Sequence, residues 1–283
     1  MATTTAHPVR VTRRPGSLAL ILEGIREIWS RRRLTRYLVR ADLHKHGADT
    51  LLGNVWWFLD PLLQMAVYVI LVSVIFQVQK PDYPLFVFCA ILPWKWFTSS
   101  VSDGIVSVTA RERIIKQVAF PKIVLPVAAT VGGITNFAFG LIPLFALQIL
   151  FYSDRLSATI LLIPVVAAVQ LVFSLGVGII VSATNVFFRD LGNIARHVLR
   201  LWFYLSPALY NFEDVASKGH GLFGVILSLN PWTPLFESYR AVIYNGRPPE
   251  WGGLLMVLGM SLILMAVATL YFKRLEPAFA KVL

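Results

Sequence analysis

The sequence predicts an all-α integral membrane protein with six transmembrane helices, an N-terminal amphipathic interfacial helix and a broken re-entrant segment before the last span. Of its 283 residues, 57% are hydrophobic and only 14% are charged, whereas roughly a quarter of a soluble domain is charged. Uncharged runs cover residues 123–153, 156–188 and 251–272. Each is longer than the ~20 residues that cross a bilayer. A soluble enzyme is therefore excluded.

The amphipathic helix is predicted to begin after Ser17, whose hydroxyl is suited to capping a helix. The apolar residues that recur there at helical spacing are Leu18, Ile21, Leu22, Ile25 and Trp29. A helix with one apolar and one charged face lies on a membrane surface rather than crossing it. It forms part of a cytosolic N-terminal region, residues 1–56, ahead of a membrane domain that covers residues 57–283.

The six predicted spans lie at 57–77, 85–106, 123–151, 158–187, 197–212 and 252–272. The segments on one side of these spans contain 20 Lys and Arg residues, against five on the other side. Because basic residues concentrate on the cytosolic side of membrane proteins, both termini are predicted to be cytosolic. The same distribution explains the net charge of +11 by membrane topology and membrane lipids, without nucleic acid.

The external segment at 213–250 is unusual because residues 219–236 carry no charge but include Asn230 and Pro231. Non-helical backbone at membrane depth persists only where protein or water satisfies its polar groups. The segment is therefore predicted to form two short helices that dip back from the outer face and are broken at Asn230–Pro231.

The sequence lacks the motifs of the common catalytic sites. It contains no G-x-x-x-x-G-K-[ST] phosphate loop and no H-E-x-x-H motif, and Asp60, Asp103 and Asp190 are isolated from other acidic residues. The single cysteine, Cys89, lies in an apolar run, which leaves no intrachain disulfide and no thiolate metal site. We therefore expect no catalytic residue, no bound metal and no cofactor held by this chain.

Six motifs occur in a distinctive order along the chain. They are LVRADL at 38–43, LLGNVWWFLDPL at 51–62, RIIKQVAFPK at 113–122, FFRD at 187–190, SPALY at 206–210 and NP at 230–231. Together they resemble the permease subunits of ATP-binding cassette (ABC) exporters for lipid-linked polysaccharides such as O-antigen, teichoic acid or cell-wall galactan. One departure is Lys95, where such proteins more often carry a neutral polar residue.

This resemblance implies a homodimeric permease in the bacterial inner membrane, joined to two copies of a separate ATPase. ATP and Mg²⁺ would be bound by that partner. The substrate would be a polysaccharide on a polyprenyl-diphosphate carrier, moved out of the cytosol. An exporter of drugs or free lipids, and a membrane transferase that uses polyprenyl phosphate, are the alternatives; the transferase would need an acidic metal-binding cluster on a cytosolic loop.

The cytosolic loop at 103–122 mixes basic and apolar residues, and Pro121 is expected to stop its helix. This composition is typical of a short docking helix, and the resemblance implies that it couples the permease to the ATPase. A solvated basic loop is the alternative. The candidate coupling residues are Arg111, Arg113, Lys116, Phe120 and Pro121.

Three arginines around the fifth span are candidates for the substrate's diphosphate at the entrance: Arg189, Arg196 and Arg200. A guanidinium group donates two parallel hydrogen bonds to a phosphate. Arginines at such positions also serve as plain interfacial anchors, which is the alternative for Arg196 and Arg200.

Three further residues are candidates for lining the channel: Lys95, Trp202 and Tyr210. Lys95 lies about ten residues into its span, where a charge is costly unless it faces water or a partner. Asp60 is the obvious partner, but its expected depth near the cytosolic end of span one matches poorly; a packed structural lysine is the alternative. Trp202 and Tyr210, eight residues apart, are expected to share a helix face, with an interfacial aromatic belt as the alternative.

In a dimer, the two copies of the external segment are expected to meet over the exit and close it between transport events. The candidate gate residues are Asn230, Pro231, Leu235, Phe236 and Tyr239. The last three are expected to pack against the fifth and sixth spans.

Overall fold

The computed structural model describes residues 16–45, 53–75, 82–211 and 221–283. Within these ranges the regular secondary structure is helical throughout. The predicted all-α class is therefore confirmed for the described part of the chain.

Five described segments are long and apolar enough to cross a membrane: Phe58–Ile75, Tyr83–Ser107, Val124–Phe151, Ala158–Phe187 and Trp251–Val282. The first joins helix α3 (Trp56–Val69) to a π-helical turn at Ile70–Ile75. The next two are α4 (Tyr83–Ser107) and α6 (Val124–Phe151). The fourth joins a short 3₁₀ helix to α7 (Ile163–Phe187), and the fifth is α11 (Trp251–Val282). They correspond to predicted spans one to four and six.

The predicted fifth span takes a different form. Helix α8 covers Leu191–Leu205, so it begins before residue 197 and ends well before residue 212. Its 15 residues rise about 22 Å, less than the ~30 Å hydrocarbon core. The helix ends because Pro207 disfavours a helical conformation at Ser206, whose ψ is 153°. The described residues therefore contain five segments that are long and apolar enough to cross a membrane, and the predicted count of six spans is not confirmed.

Two helices precede the spans: α1 (Ser17–Ser30) and α2 (Arg32–Lys45). The apolar stripe predicted for α1 is largely exposed, at Leu18, Leu22, Ile25 and Trp29. The opposite side of α1 packs on α11 through Gly24, which lies against Thr269. The helix is therefore present with one uncovered apolar face, and its contact with a membrane surface stays a prediction.

An ion-pair cluster joins α1 to the C-terminal part of α11. The buried Lys273 ammonium lies 3.0 Å from carboxylate oxygens of Glu23, Glu27 and Glu276. Burial raises the pKa of the Glu27 carboxyl, and the hydrogen bond from Lys273 opposes this rise. A second oxygen of Glu276 accepts the backbone N–H of Lys122 at 2.8 Å. The cluster thus connects α1, α11 and the start of α6.

The remaining helices are short: α5 (Glu112–Gln117), α9 (Gly221–Leu229) and α10 (Trp232–Ile243). The last two are separated at Asn230–Pro231, the predicted break. How deeply they sit in a membrane stays a prediction.

Helix α4 is the centre of the packing, because it contacts α3, α6, α7, α8 and α10. Of its most apolar stretch, 78% is buried. Glycines allow the closest approach: a Cβ on Gly104 would lie 3.3 Å from the backbone of Gly178 on α7. Around Trp94 an aromatic cluster fills the centre of the molecule, with the ring of Trp232 at 4.8 Å and that of Phe203 at 5.4 Å.

Candidate functional site

One face of α4 is polar although most of the rest of the helix is buried. The residues of this face, which we call the α4 polar stripe, recur three or four positions apart and therefore line one side of the helix: Lys95, Thr98, Ser99, Ser102 and Asp103. All five are at least partly exposed. Within the stripe, Ser99 donates a hydrogen bond to the Asp103 carboxylate at 3.2 Å, and Ser102 donates to the Thr98 carbonyl at 2.8 Å.

Lys95 forms an ion pair with Asp60 of α3. The expectation from the sequence that these two residues lie at different depths is therefore wrong. They meet because of the placement of α3, in which Phe58 packs edge-on against Phe139 with ring centroids 5.7 Å apart. Phe139 is near the middle of α6, so α3 begins beside the middle of its neighbour. Both charged side chains remain accessible, with 31% of Lys95 and 60% of Asp60 exposed.

At Asp103, the C-terminal end of the stripe, α4 borders a cavity between α2, α4 and α6. At its edge the Arg111 guanidinium donates two hydrogen bonds to Asp42 of α2, at 2.6 and 2.9 Å, and a third to the Ser107 carbonyl at 3.3 Å. Arg111 was a candidate for ATPase coupling. Its side chain points toward α2, where one guanidinium nitrogen contacts both oxygens of the partly buried Asp42 carboxylate.

The candidate coupling loop contains α5, whose Arg113 and Ile114 are exposed while Ile115 is buried. Lys116 pairs with Glu112 at 2.7 Å and lowers the pKa of that carboxyl. The helix ends at Gln117, so Pro121 does not stop it as expected. Val118 is already extended, with φ −127° and ψ 130°.

The last apolar candidate of this loop, Phe120, is half-buried. Its ring packs on a core cluster formed by the N-terminal part of α6 and the C-terminal parts of α7 and α11. It therefore supports the loop from inside, and its free surface for an ATPase is smaller than that of Ile114.

The three candidate diphosphate arginines do not form one site. Arg189 lines a second cavity together with Glu112 of α5. Arg196 and Arg200 are exposed on α8, where Arg196 bonds to Asn193 of its own helix. Arg200 lies one helical turn before Phe203, whose ring packs against Tyr68 of α3 with ring centroids 5.6 Å apart.

The two aromatic candidates for the channel do not share a helix face, because α8 ends at Leu205 and Tyr210 lies in the following turn. Trp202 packs in the aromatic cluster, 6.1 Å from Trp94 between ring centroids. Its indole N–H donates to the Asn230 side-chain oxygen at 3.0 Å. Tyr210 donates to the Leu205 carbonyl at 3.3 Å.

Asn230 holds the break between α9 and α10 in place. Its side-chain oxygen accepts the backbone N–H of Trp232 at 3.0 Å in addition to the Trp202 indole, and its amide donates to the Ser206 hydroxyl at 2.8 Å. The SPALY and NP motifs therefore meet in space. Pro231 begins the turn of α10, where its missing N–H costs no hydrogen bond.

Sequence reasoning missed Arg240, a fully buried residue of α10. Its guanidinium donates to the carbonyls of Pro207 at 2.7 Å and Ala208 at 2.6 Å, and it stacks 3.7 Å from the ring centre of Phe86. A lone arginine in the otherwise apolar stretch 238–243 was the available signal. Arg240 was instead counted among the external basic residues.

The three apolar gate candidates Leu235, Phe236 and Tyr239 are fully buried within the chain. Their helix α10 packs against α4, α7 and α11, so the expected contact with the sixth span is present, together with contacts to α4 and α7 that were not expected. Tyr239 also donates to Gln170 of α7 at 2.8 Å. They therefore offer no surface to a second copy. The exposed apolar residues of this segment are on α9, at Val225 (53% exposed) and Leu229 (68%).

Several apolar helices around a polar stripe that contains an accessible ion pair are features of a membrane permease. The chain belongs to the ABC-2 type transporter family, whose sequence profile matches residues 33–244. It is 34% identical over 257 residues to the O-antigen export system permease protein RfbA of Myxococcus xanthus, covering 91% of this chain and 98% of that protein. A protein of the same name from Klebsiella pneumoniae is 31% identical over 248 residues, covering 87% and 93%.

We predict that Phe236→Ala destabilises the protein whereas Leu229→Ala does not. Removing a buried phenylalanine ring costs about 3–5 kcal/mol, while exposed truncations stay within about 0.5 kcal/mol. Thermal unfolding of the purified variants in one detergent is the measurement. Equal melting temperatures for the two variants would contradict the assignment of Phe236 to the core.

Proposed function

We propose that this chain is the membrane-spanning subunit of an ATP-driven exporter of a polyprenyl-diphosphate-linked polysaccharide in the bacterial inner membrane. The observation that carries the proposal is the similarity to O-antigen export permeases over nearly the full length of both chains. The sequence has no phosphate-loop motif of its own. A separate ATPase subunit therefore binds ATP and Mg²⁺ and drives transport, and the chain is not itself an enzyme.

The α4 polar stripe is the proposed wall of the translocation path. Hydroxyl and charged groups within a spanning helix are costly in lipid and are retained where they face water or substrate. The Lys95–Asp60 pair is accessible rather than packed away, which favours the channel-lining assignment of Lys95. An exporter of drugs or free lipids would be expected to have a more apolar wall.

A homodimer with two ATPase copies is the proposed assembly, because α3 and α8 have large uncovered faces. Only 6% of the α3 span is buried within the chain. On α8, Val198 and Leu201 are exposed beside Arg196 and Arg200. A second copy packed along these helices would cover the apolar residues. It would also place the arginines from both chains near the entrance for a diphosphate.

The short helix α8 is the proposed fifth of six spans, with the turn at Ser206–Tyr210 completing the crossing. In this topology α9 and α10 form the external re-entrant segment. Val225 and Leu229 are the surface through which two copies close the exit, and Asn230 and Pro231 set the angle between the two helices.

Depletion of the protein is predicted to make a lipid-linked glycan accumulate on the cytosolic side of the inner membrane. The ATPase would then have no path through which to move its substrate. Lipid extraction followed by glycan analysis, with re-expression of the chain as control, is the measurement. Accumulation of a free lipid or a drug instead of a glycan would support the alternative exporter.

Reporter fusions after residues 154 and 245 are predicted to be active outside the cytosol, and fusions after residues 120 and 283 inside it. The expectation rests on the bias of basic residues toward one side of the spans. A cytosolic position of residue 245 would contradict the six-span topology.

Arg113→Glu is predicted to weaken the association with the ATPase or to leave ATP hydrolysis without export. Arg113 is exposed on α5, so reversing its charge disturbs a docking contact without removing a core residue. Arg247→Glu, which reverses an exposed charge on the opposite side in the proposed topology, is the control. Co-purification of the ATPase and export are measured together. Normal values for Arg113→Glu would show that the loop is only solvated.

A further inference from the structure

Lys95 is the only basic residue in the sequences of α3, α4, α6 and α7. The acidic residues of these four helices are Asp60 and Asp103. Asp60 forms the ion pair with Lys95, whereas Asp103 lies eight positions further along α4, about 12 Å along the helix axis. The carboxylate in contact with the Lys95 ammonium among the described residues is therefore that of Asp60.

Lys273 shows what a structural lysine looks like in this chain. Its side chain is only 8% exposed, and its ammonium lies 3.0 Å from oxygens of three carboxylates. Lys95 differs in both respects, because 31% of its side chain is exposed and one carboxylate oxygen contacts it. An ammonium group has three N–H donors. Lys95 can therefore donate to a second anionic oxygen.

The hydroxyl groups next to Lys95 are used within α4. Thr98 donates to the Lys95 carbonyl at 3.0 Å, and Ser102 donates to the Thr98 carbonyl at 2.8 Å. A phosphate group at this level would therefore depend on the Lys95 ammonium, which is a point charge without the bidentate geometry of a guanidinium. A contact through this one group would hold an anion only weakly.

Asp60 would compete with such an anion for the same ammonium. Because Asp60 belongs to the same chain, its effective concentration at Lys95 is on the order of millimolar or higher. Its side chain is 60% exposed, so it loses little hydration in the pair and regains it easily when displaced. A group with several negative charges attracts the ammonium more strongly than one carboxylate does, and it can therefore take the place of Asp60.

We propose that Lys95 is a transient contact for the anionic head of the substrate, and that Asp60 sets the affinity of this contact by competing for the same ammonium group. The proposal rests on the proposed function, in which that head is the diphosphate of the carrier lipid. Movement along a path requires binding that is strong enough to take up the substrate and weak enough to let it leave. Asp60 acts through Lys95 and is a positioning residue.

The test is equilibrium dialysis of radiolabelled pyrophosphate against the full chain in nanodiscs of phosphatidylcholine, at constant ionic strength. Asp60→Asn is expected to bind pyrophosphate about fivefold more tightly than the parent, the factor by which an exposed ion pair can compete. Asp60→Glu restores the competing charge and is expected to return the affinity close to that of the parent. Adding Lys95→Gln to Asp60→Asn is expected to abolish the gain.

Asp154→Asn is the matched control for the change in net charge. It removes an exposed carboxylate that lies 3.7 Å from Arg155, while Asp82 still holds that arginine at 2.8 Å. Its affinity for pyrophosphate is expected to equal that of the parent. The same gain in Asp154→Asn as in Asp60→Asn would show that net charge sets the affinity, which would overturn the proposal.

Glucuronate, used as a second labelled probe, separates the diphosphate from a carboxylate on an acidic sugar. With one charge it is expected to gain less from Asp60→Asn than pyrophosphate does. An equal gain would overturn the assignment of the contact to the diphosphate.

Two further results would overturn the proposal: unchanged pyrophosphate affinity in Asp60→Asn, or a gain that persists after Lys95→Gln is added. Lys95→Gln alone is expected to bind pyrophosphate more weakly than the parent, so the test does not depend on the folding of Asp60→Asn. Equal binding by Lys95→Gln and the parent would also count against the contact. Because dialysis uses the purified chain, its failure would leave the glycan accumulation predicted on depletion unaffected, whereas loss of that accumulation would count against the export function.

Discussion

The structure depends on how the chain satisfies buried polar groups where its helices break among apolar neighbours. At the end of α8 the carbonyls of Pro207 and Ala208 accept hydrogen bonds from the buried Arg240 guanidinium. At the break between α9 and α10, Asn230 provides both a donor and an acceptor. Removing one partner of such a buried contact leaves a polar group without compensation, which costs about 1–3 kcal/mol or more for a charged group. These contacts hold α8, α9 and α10 together around the aromatic cluster of α4.

This arrangement gives α4 two different sides. One side carries the aromatic and glycine contacts of the core, such as Trp94 and Gly104, and the other carries the polar stripe. The Lys95–Asp60 pair thus joins α3 to the side of α4 that its core contacts leave accessible.

The sequence predicts local features well and long-range pairs poorly. Periodicity and uncharged runs identify α1, five apolar segments and the break at Asn230–Pro231, because each signal lies within one stretch of chain. The Lys95–Asp60 and Arg111–Asp42 pairs depend on where α2 and α3 sit against α4 and α6. The same applies to Phe236, because the sequence alone does not show whether an apolar residue packs in the core of its own chain or against a second copy. Only the packing of α10 distinguishes the two.

The N-terminal helices are tied to the body at two points on the same side of the fold. Lys273 binds Glu23 and Glu27 of α1, and Arg111 binds Asp42 of α2. The first contact continues through Glu276 to the backbone of Lys122, the last residue of the 103–122 loop, and the second lies one residue before α5. Helix α5 is thus flanked on both sides by residues that are linked to α1 or α2. A displacement of α5 by a docked ATPase would therefore act on these two helices as well as on α4 and α6, and so on the walls of the cavity at the base of the stripe.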